Sequence, residues 1–236
     1  MNPKIVVTGH RGFIGSHLMK RIDAVGLDIK EGNNILTCDL PEADIVIHLA
    51  AEPGVISSMK SPVQTVENNI VGTVRLLERY KKSKFIFAST GGAIQEKTLS
   101  PYGLSKLCAE EFVKLMHKNY VILRFSNVYG YGSRSVVDKF LAWNIVIFGD
   151  GKQTRTFVYI DDLVEGIIKS LEWEVGAYHF GTDQNYSILE LAEATKKPIS
   201  FLPAREGEFY HSSVENTTPN WIPKVDVMDY IRNEIR

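Results

Sequence analysis

The chain has 236 residues, of which 44% are hydrophobic and 23% charged, a composition typical of a soluble globular protein with a full core. Its 27 basic and 28 acidic residues nearly cancel, and no basic block is interleaved with aromatic residues, which argues against a nucleic-acid partner. Cysteines and histidines show no metal-ligand spacing, so no metal is predicted, and without a leader pattern or a membrane-length apolar stretch we expect a cytoplasmic protein with no membrane partner.

The first elements in chain order predict a dinucleotide-binding unit. Residues 4–8 form an apolar run typical of a buried strand, and Gly9, Gly12 and Gly15 then make a G-x-x-G-x-x-G turn into an amphipathic helix. Glycines let the backbone turn tightly and approach a pyrophosphate, which the free N–H groups of the helix start can bind. The same spacing also fits a plain strand-to-helix loop.

The next strand separates these two interpretations. The run 24–27 ends at Asp28, nineteen residues after Gly9, where an acid accepts hydrogen bonds from ribose hydroxyls. That acid would repel a 2′-phosphate and favours NAD as the cofactor. Arg11 and Lys30 argue the other way, because either could reach the 2′-phosphate of NADP.

The rest of the first half alternates strand and helix patterns. Alternation of this kind predicts an α/β fold, a Rossmann-type doubly wound parallel sheet with its ligand site at the carboxyl edge. The predicted strands are 34–37, 44–49, 84–88 and 120–125, and the predicted helices are 63–80 and 101–117. His48 ends one of these strands, and we expect a core histidine with satisfied hydrogen bonds rather than a ligand.

A tyrosine and a lysine stand one turn apart in the second helix. The pattern from Ser100 to His117 has a serine N-cap, a proline at the first helical position and apolar residues at helical spacing. Tyr102 and Lys106 share one face, opposite Leu104 and Leu115. We expect the leucine face to pack and the polar face to address a ligand.

The tyrosine and lysine pair suits base chemistry. A free tyrosine has a pKa of about 10, so a base for use near neutrality needs a pKa roughly 3 units lower, on the order of 4 kcal/mol. A nearby ammonium can supply much of this field. A tyrosine and a lysine at this spacing often occur by chance, so the pair indicates a catalytic site only together with the motifs around it.

These motifs together resemble the extended short-chain dehydrogenase/reductase superfamily, in its NAD-dependent nucleotide-sugar epimerase/dehydratase branch. The resemblance covers nearly the whole chain. Its motifs are the glycine turn, Asp28, 39–40, 48–51, 69–73, Thr90, Tyr102 with Lys106, 123–130, 147–151, 155–162 and 205–208.

The resemblance implies a role for each site residue. The catalytic set would be Thr90, Tyr102 and Lys106. The cofactor set would be Gly9, Arg11, Gly12, Phe13, Ile14, Gly15, Asp28, Asp39, Leu40, Leu49, Ala50, Ala51, Asn69, Tyr102, Lys106 and Phe125. The nucleotide-sugar set would be Thr90, Asn127, Phe148, Arg155 and Arg205, with Phe148 against the base and Asn127 and the arginines on the diphosphate.

The implied chemistry is inversion at the sugar C4. Tyr102 would take the C4 hydroxyl proton while the hydride passes to the nicotinamide, and Lys106 and Thr90 would support the phenolate and the sugar oxygen. Hydride return to the other face of the 4-keto sugar makes a 4-epimerase. The segment after Thr90 is similar to that of many UDP-glucose 4-epimerases, so UDP-glucose and UDP-galactose type sugars are the expected substrates.

Four alternatives stay open. A 4,6-dehydratase usually has Asp-Glu after the threonine, where this chain has Gly91-Gly92. A NAD(P)-dependent 4-keto-deoxy-sugar reductase is suggested by the turn 9–12, which resembles that of GDP-fucose synthases. A small-metabolite dehydrogenase would leave the two arginines unexplained, and an inactive NAD-binding regulator would have kept the fold without the chemistry. The stretch 91–101 is shorter than in relatives, with Gln95 and Glu96 in place of Tyr-Gly, which predicts a more open pocket.

The resemblance also implies an organisation in two parts and a homodimer. Residues 1–128 with 151–180 would form the NAD-binding domain, and 129–150 with 181–236 a small substrate-binding lid. His179 is expected to be structural. The predicted helices 63–80 and 101–117 would pack against the same pair of a second copy in a four-helix bundle.

Overall fold

The computed structural model describes residues 3–94, 100–205 and 209–235, so that Gln95, Glu96 and the last three residues of the 205–208 motif lie outside the described residues. The strands are β1 (Ile5–Thr8), β2 (Val25–Leu27), β3 (Ile45–His48), β4 (Lys84–Thr90), β5 (Tyr120–Phe125), β6 (Asn127–Tyr129), β7 (Ile145–Phe148), β8 (Thr154–Arg155), β9 (Phe157–Tyr159), β10 (Gly176–Phe180), β11 (Tyr186–Ser187), β12 (Ile199–Leu202) and β13 (His211–Ser212). The helices are α1 (Phe13–Leu18), α2 (Val55–Lys60), α3 (Pro62–Val66), α4 (Gly72–Arg79), α5 (Pro101–Met116), α6 (Val136–Ala142), α7 (Ile160–Lys169), α8 (Ile188–Ala194) and α9 (Val227–Glu234).

A six-stranded parallel sheet organises the fold, in the order β2-β1-β3-β4-β5-β10. Helices α1 and α7 cover one face, where Leu18, Leu163 and Ile167 join the core, and α4 and α5 cover the other. The chain leaves β1 toward β2 on one side and returns to β3 on the other, so the strand order reverses between β1 and β3. Ligands of doubly wound sheets bind at such a point. The predicted α/β doubly wound parallel sheet is confirmed.

The predicted strand 34–37 is wrong. Asn34 starts a turn instead, because its Oδ1 accepts the Leu36 N–H at 2.9 Å and its carbonyl oxygen accepts the Cys38 N–H at 2.7 Å. Arg75 of α4 then holds the segment by donating to the carbonyl oxygens of Ile35 and Cys38, at 2.5 and 2.7 Å. Side-chain hydrogen bonds from a helix therefore replace the ladder that a further strand would have made.

The predicted helix 63–80 is one helical run of α3, a π-helical turn at Glu67–Val71, and α4. The N-cap of α5 is as predicted, since the Ser100 hydroxyl accepts the Gly103 N–H at 3.2 Å. The predicted packing faces of α5 are reversed. Lys106 is buried against the sheet, whereas Leu104 and Leu115 are 50% and 82% exposed. The Tyr102 face thus both packs and, at its first turn, reaches the site.

A second apolar core lies beyond the carboxyl edge of the sheet. It joins α6, α8 and α9 to the short strands that follow β5, and its buried members include Phe140, Leu191 and Ile231. Strand β6 pairs with β9, β7 with β12, and β8 with both β11 and β13. The division into a NAD-binding domain and a lid stays a prediction, with this core in the part assigned mainly to the lid.

Candidate functional site

The glycine turn lies where β1 meets β3. Gly9 has a φ of +75°, and a Cβ there would come within 2.6 Å of the Ala50 backbone nitrogen. A Cβ on Gly15 would come within 2.3 Å of the Gly9 carbonyl oxygen, so α1 can approach the turn only with glycine at this position. Gly12 is the N-cap of α1 and has an ordinary extended φ of −75°. Free N–H groups at this helix start fit a pyrophosphate.

Asp28 follows β2 and is only 7% exposed. Its Oδ2 accepts the Arg11 N–H and its Oδ1 accepts the Lys30 N–H, both at 2.9 Å. These two bonds fix the carboxylate at the carboxyl edge of the sheet. Each oxygen keeps a further lone pair, so the arrangement fits the ribose diol of NAD.

Arg11, one of the two cations that could have favoured NADP, is paired with an acid that the sequence analysis did not select. Glu31 Oε1 lies 2.8 Å from Arg11 Nε, and Glu31 Oε2 lies 3.2 Å from His10 Nε2. Lys30 Nζ donates to the Arg11 carbonyl oxygen at 3.1 Å. A second carboxylate near Asp28 adds repulsion toward a 2′-phosphate. The sequence signal was an acid three residues after Asp28, which a 3-10 turn brings to the same side.

Tyr102 lies in the first turn of α5, near Thr90 at the carboxyl end of β4. Burial raises the pKa of Tyr102 to about 12, and the Thr90 side chain opposes this rise. The expected lowering of this pKa by Lys106 is not found. The reason is that Lys106 itself is not readily protonated, because burial lowers its pKa to about 7 while the charge of Glu110 raises it.

Lys106 lies one turn deeper than Tyr102 and is only 3% exposed. Its Nζ lies over the Phe87 ring of β4, 4.1 Å from the ring centroid. A cation on an aromatic face is attracted by the ring quadrupole, which partly offsets the loss of water. The order along α5 therefore places the phenol at the site and the ammonium behind it.

Asn69, predicted to border the cofactor, makes a structural clamp. It lies in the π-helical turn, buried, with Oδ1 accepting the Glu52 N–H at 2.7 Å. Its Nδ2 donates to the Glu52 carbonyl oxygen at 3.2 Å and to Ser105 Oγ at 2.9 Å. Ser105 Oγ donates in turn to the Tyr102 carbonyl oxygen at 2.8 Å. Asn69 thus ties the loop after β3 to the first turn of α5, and a cofactor role for it stays a prediction.

One cavity of about 760 Å³ brings two of the three predicted catalytic residues together with the predicted substrate residues, whereas Lys106 is buried behind its wall. Its walls come from the carboxyl ends of β4 and β5, the start of α5, and the second apolar core. The predicted residues on its walls are Thr90, Tyr102, Phe125, Asn127, Phe148, Arg155 and Arg205. Arg134 and Lys139 also line it, and the sequence analysis missed both because they lie between the motifs 123–130 and 147–151.

The two predicted diphosphate arginines differ in their contacts. Arg155 donates from Nη2 to the Phe209 carbonyl oxygen at 2.6 Å and from Nη1 to the Thr154 carbonyl oxygen at 2.7 Å. The Arg205 guanidinium lies 3.4 Å from the centroid of the Phe148 ring. The ring predicted to meet the nucleotide base is therefore covered on one face by the arginine predicted to meet the phosphates.

The remaining predicted cofactor residues lie along the carboxyl edge. Leu49, Ala50 and Ala51 follow β3, and Phe13 and Ile14 open α1, all partly buried. Asp39 is exposed and Leu40 partly buried in the segment that replaces the predicted strand.

Both histidines that we expected to be structural have such partners. His48 is buried with Nδ1 at 2.7 Å from Thr8 Oγ1 and Nε2 at 2.9 Å from Thr73 Oγ1. Burial lowers the pKa of His48 well below its usual value. His179 Nε2 lies 3.0 Å from Arg124 Nη1. Each ring therefore serves a hydrogen-bond network of the sheet.

Within residues 3–94, 100–205 and 209–235, no group of three or more acidic, histidine or cysteine side chains could hold a metal ion. The same residues contain no helix with the length and apolar character needed to cross a bilayer.

A family model described as the NAD dependent epimerase/dehydratase family matches residues 5–181. A protein of Methanocaldococcus jannaschii, provisionally named UDP-glucose 4-epimerase, is 32% identical over 98% of this chain and 97% of its own length. The dTDP-D-glucose 4,6-dehydratase of Dictyostelium discoideum is 34% identical over 80% of this chain and 61% of its own length.

Solved structures agree with these matches. The crystal structure of UDP-glucuronic acid 4-epimerase from Bacillus cereus, in complex with UDP-glucuronic acid and NAD, is 33% identical with a TM-score of 0.84, covering 98% of both chains. The alignment with the M. jannaschii protein spans 295 positions against 236 residues here, so at least 59 positions of that protein have no counterpart in this chain.

Proposed function

Because this chain belongs to the NAD dependent epimerase/dehydratase family, we propose that it is a nucleotide-sugar 4-epimerase acting on UDP-glucose and UDP-galactose type sugars. The family resemblance seen in the sequence is confirmed, and NAD is the cofactor of this family. The observation that carries the proposal is the shared cavity, whose walls include both Tyr102 and Arg155. A base and phosphate-binding cations in one cavity fit a sugar joined to a diphosphate.

Each residue of the site has a defined task in the proposed reaction. Tyr102, as a phenolate, takes the proton of the C4 hydroxyl and later returns it to the C4 oxygen. NAD, when bound, would supply the hydride acceptor for C4 and a positive charge within the site. Thr90, near the phenol, donates a hydrogen bond to the sugar oxygen. Asn127, Arg155 and Arg205 hold the diphosphate so that either face of the transient 4-keto sugar can be presented.

Dehydratase chemistry is disfavoured by the space around Gly91. Elimination of water needs an acid and a base after the catalytic threonine, and a Cβ on Gly91 would come within 2.3 Å of the Val214 Cγ2 atom. No side chain fits there without moving Val214. The residue next to Thr90 therefore supports a reaction that stops at the 4-keto sugar and reverses.

The test is turnover with defined sugars. Purified protein is incubated with UDP-glucose, UDP-galactose, UDP-glucuronic acid and UDP-N-acetylglucosamine, and C4 epimers are resolved by chromatography. We expect interconversion of the first two without net consumption of cofactor. Stoichiometric consumption of NADPH by a 4-keto sugar would replace the epimerase with a reductase.

Tyr102→Phe tests the assigned base. It should lower kcat by at least about 10³-fold while nucleotide-sugar binding measured by calorimetry stays within a few-fold. Tyr120→Phe is the matched control, because Tyr120 begins β5 at the opposite edge of the sheet. Loss of binding in Tyr102→Phe would demote the phenol to a structural role.

We propose that two copies associate through α3, α4 and α5. Apolar side chains on these helices face outward, among them Val63 at 70% and Leu115 at 82% exposure, with Val66, Leu104 and Phe112 beside them. A second copy of the same face would bury these side chains in an isologous interface. Light scattering at micromolar concentration should give a dimer, and Leu115→Glu a monomer. Ile222→Glu, an exposed position outside this face, is the control. A monomeric wild type would end the proposal.

The cytoplasm is the proposed compartment. Cys38 and Cys108 are both free thiols, which suits a reducing environment. Fractionation of the producing cells should place the protein with cytoplasmic markers.

A further inference from the structure

A buried acid lies behind the catalytic lysine. Glu110 stands one turn after Lys106 and two turns after Tyr102 on the same face of α5, and it is 0% exposed. Its Oε1 accepts the Ser89 hydroxyl at 2.5 Å, and its Oε2 lies 2.5 Å from Arg124 Nη2. The reaction described above does not use this carboxylate.

The acid is paired with Arg124 and stands one helical turn from Lys106. Arg124 also reaches Glu110 Oε1 with Nε at 3.0 Å, so the guanidinium is held at two points, and it contacts His179 on its other side. Burial and the charge of Arg124 lower the pKa of His179, which favours a neutral ring. Lys106, Glu110 and Arg124 then carry one net positive charge. An ionised Tyr102 would bring the four groups to neutrality.

The surroundings of Lys106 supply few other charges. From α5 come Tyr102 and Glu110, from β3 the imidazole of His48, and from β4 the Phe87 ring and Ser89. Arg124 comes from β5 behind Glu110. Among the described residues, Glu110 is the carboxylate whose charge raises the pKa of Lys106, while burial lowers it.

We propose that Glu110 is a positioning residue of this reaction. It is the buried anion that keeps the Lys106 ammonium charged behind Tyr102, and the positive charge of Arg124 partly cancels the effect of this anion on Lys106. The inference rests on the proposed function. It predicts that Glu110→Gln and Arg124→Gln change the pH dependence of kcat in opposite directions, whereas a merely structural role of Glu110 would not.

The signs follow from the charges. The active form of Lys106 is protonated, so activity falls as pH rises through the pKa of Lys106. Glu110→Gln removes the attracting charge, lowers this pKa and moves the alkaline limb of the kcat profile to lower pH. Arg124→Gln removes the competing cation, raises this pKa and moves the limb to higher pH. Each shift should be roughly one pH unit.

Two variants serve as controls. Ser89→Ala removes a neutral hydrogen bond to Glu110 and leaves all charges, so the limb should stay in place. Arg124→Lys keeps the cation and should do the same. If Glu110→Gln unfolds because Arg124 is left unpaired, the double variant with both residues changed to Gln removes the buried pair together. Its limb should lie between those of the two single variants.

A second readout does not depend on turnover. Lysine labelled with ¹³C at Cε is titrated by NMR in the NAD-loaded protein, and the Lys106 signal is identified by its loss in Lys106→Arg. The Lys106 signal of the wild type should titrate at a higher pH than that of Glu110→Gln. Equal titration of Lys106 in both proteins, or pH limbs that move the same way in Glu110→Gln and Arg124→Gln, would overturn the proposal. An inactive wild type would refute the proposed function, while the titration would still decide this inference.

Discussion

Asn69→Ala should destabilise the protein and misplace its catalytic helix. The side chain of Asn69 is 1% exposed and makes three hydrogen bonds, two with the Glu52 backbone and one with Ser105 Oγ. Truncation to alanine leaves the Glu52 N–H without its acceptor and removes a donor from Ser105. It also releases the loop after β3 from the first turn of α5.

The size of the effect follows from these contacts. A buried polar group that loses its partner costs about 1–3 kcal/mol, and three groups lose a bond here: the Glu52 N–H, the Glu52 carbonyl oxygen and Ser105 Oγ. Because Ser105 Oγ keeps its bond to the Tyr102 carbonyl oxygen, we expect a loss of about 3 kcal/mol in the free energy of unfolding rather than the full sum. For a chain of this size that corresponds to a drop in Tm of roughly 10 °C.

Urea unfolding followed by circular dichroism gives the free energy, and turnover of UDP-glucose gives kcat. Asn119→Ala is the control, since Asn119 is exposed and its change should stay within about 0.5 kcal/mol. A loss below about 1 kcal/mol for Asn69→Ala would refute the clamp. Unchanged stability with weakened NAD binding would instead restore the cofactor role implied by the sequence.

Two substitutions in the glycine turn should affect NAD binding and stability differently. Gly12→Ala, whose Cβ would lie 3.1 Å from its nearest neighbour, should weaken NAD binding at least about tenfold with a small change in Tm. Gly15→Ala, whose Cβ would lie 2.3 Å from a carbonyl oxygen, should lower both the NAD affinity and the Tm. Calorimetry with NAD measures the binding, and thermal unfolding measures the Tm of each variant. Equal Tm values for Gly12→Ala and Gly15→Ala would contradict the prediction. Glu31→Gln should lower the preference for NAD over NADP roughly tenfold, because it removes a charge that repels the 2′-phosphate and releases Arg11. If the ratio of the Kd values for NAD and NADP is unchanged, Glu31 has no part in cofactor selection. Gly91→Asp introduces the acid that dehydratases have after the threonine, but it should lower Tm by several degrees because the new side chain clashes with Val214. An unchanged Tm would show that Val214 can move aside.

Local signals predicted the parts of the site that local geometry controls. The glycine turn, the acid at the end of β2 and the capped start of α5 each depend on residues within a few positions of one another. Their order along the chain also predicted the parallel sheet, because strand and helix patterns alternate. The cap of α5 and the parallel sheet are confirmed, because neighbours in sequence decide them, whereas the cofactor roles of the glycine turn and of Asp28 stay predictions.

Contacts between distant residues decided the rest. The segment 34–37 has strand-forming residues, yet Arg75 of α4 captures its carbonyl oxygens and leaves no ladder to form. The pKa of Tyr102 could not be predicted from its spacing to Lys106, because burial by the sheet acts on both groups. Asn69 matched a cofactor motif, and only its partners Glu52 and Ser105 reveal the clamp.

The close approach of Gly9 to Ala50 divides the molecule into regions of unequal tolerance. The Ala50 nitrogen lies closer to the site of a Cβ on Gly9 than atoms normally pack, so the width of this crevice admits neither a larger residue nor an added one. Insertions and larger side chains therefore have to be placed in segments that do not set the spacing of β1 and β3, and variants meant to redirect sugar choice should be sought there.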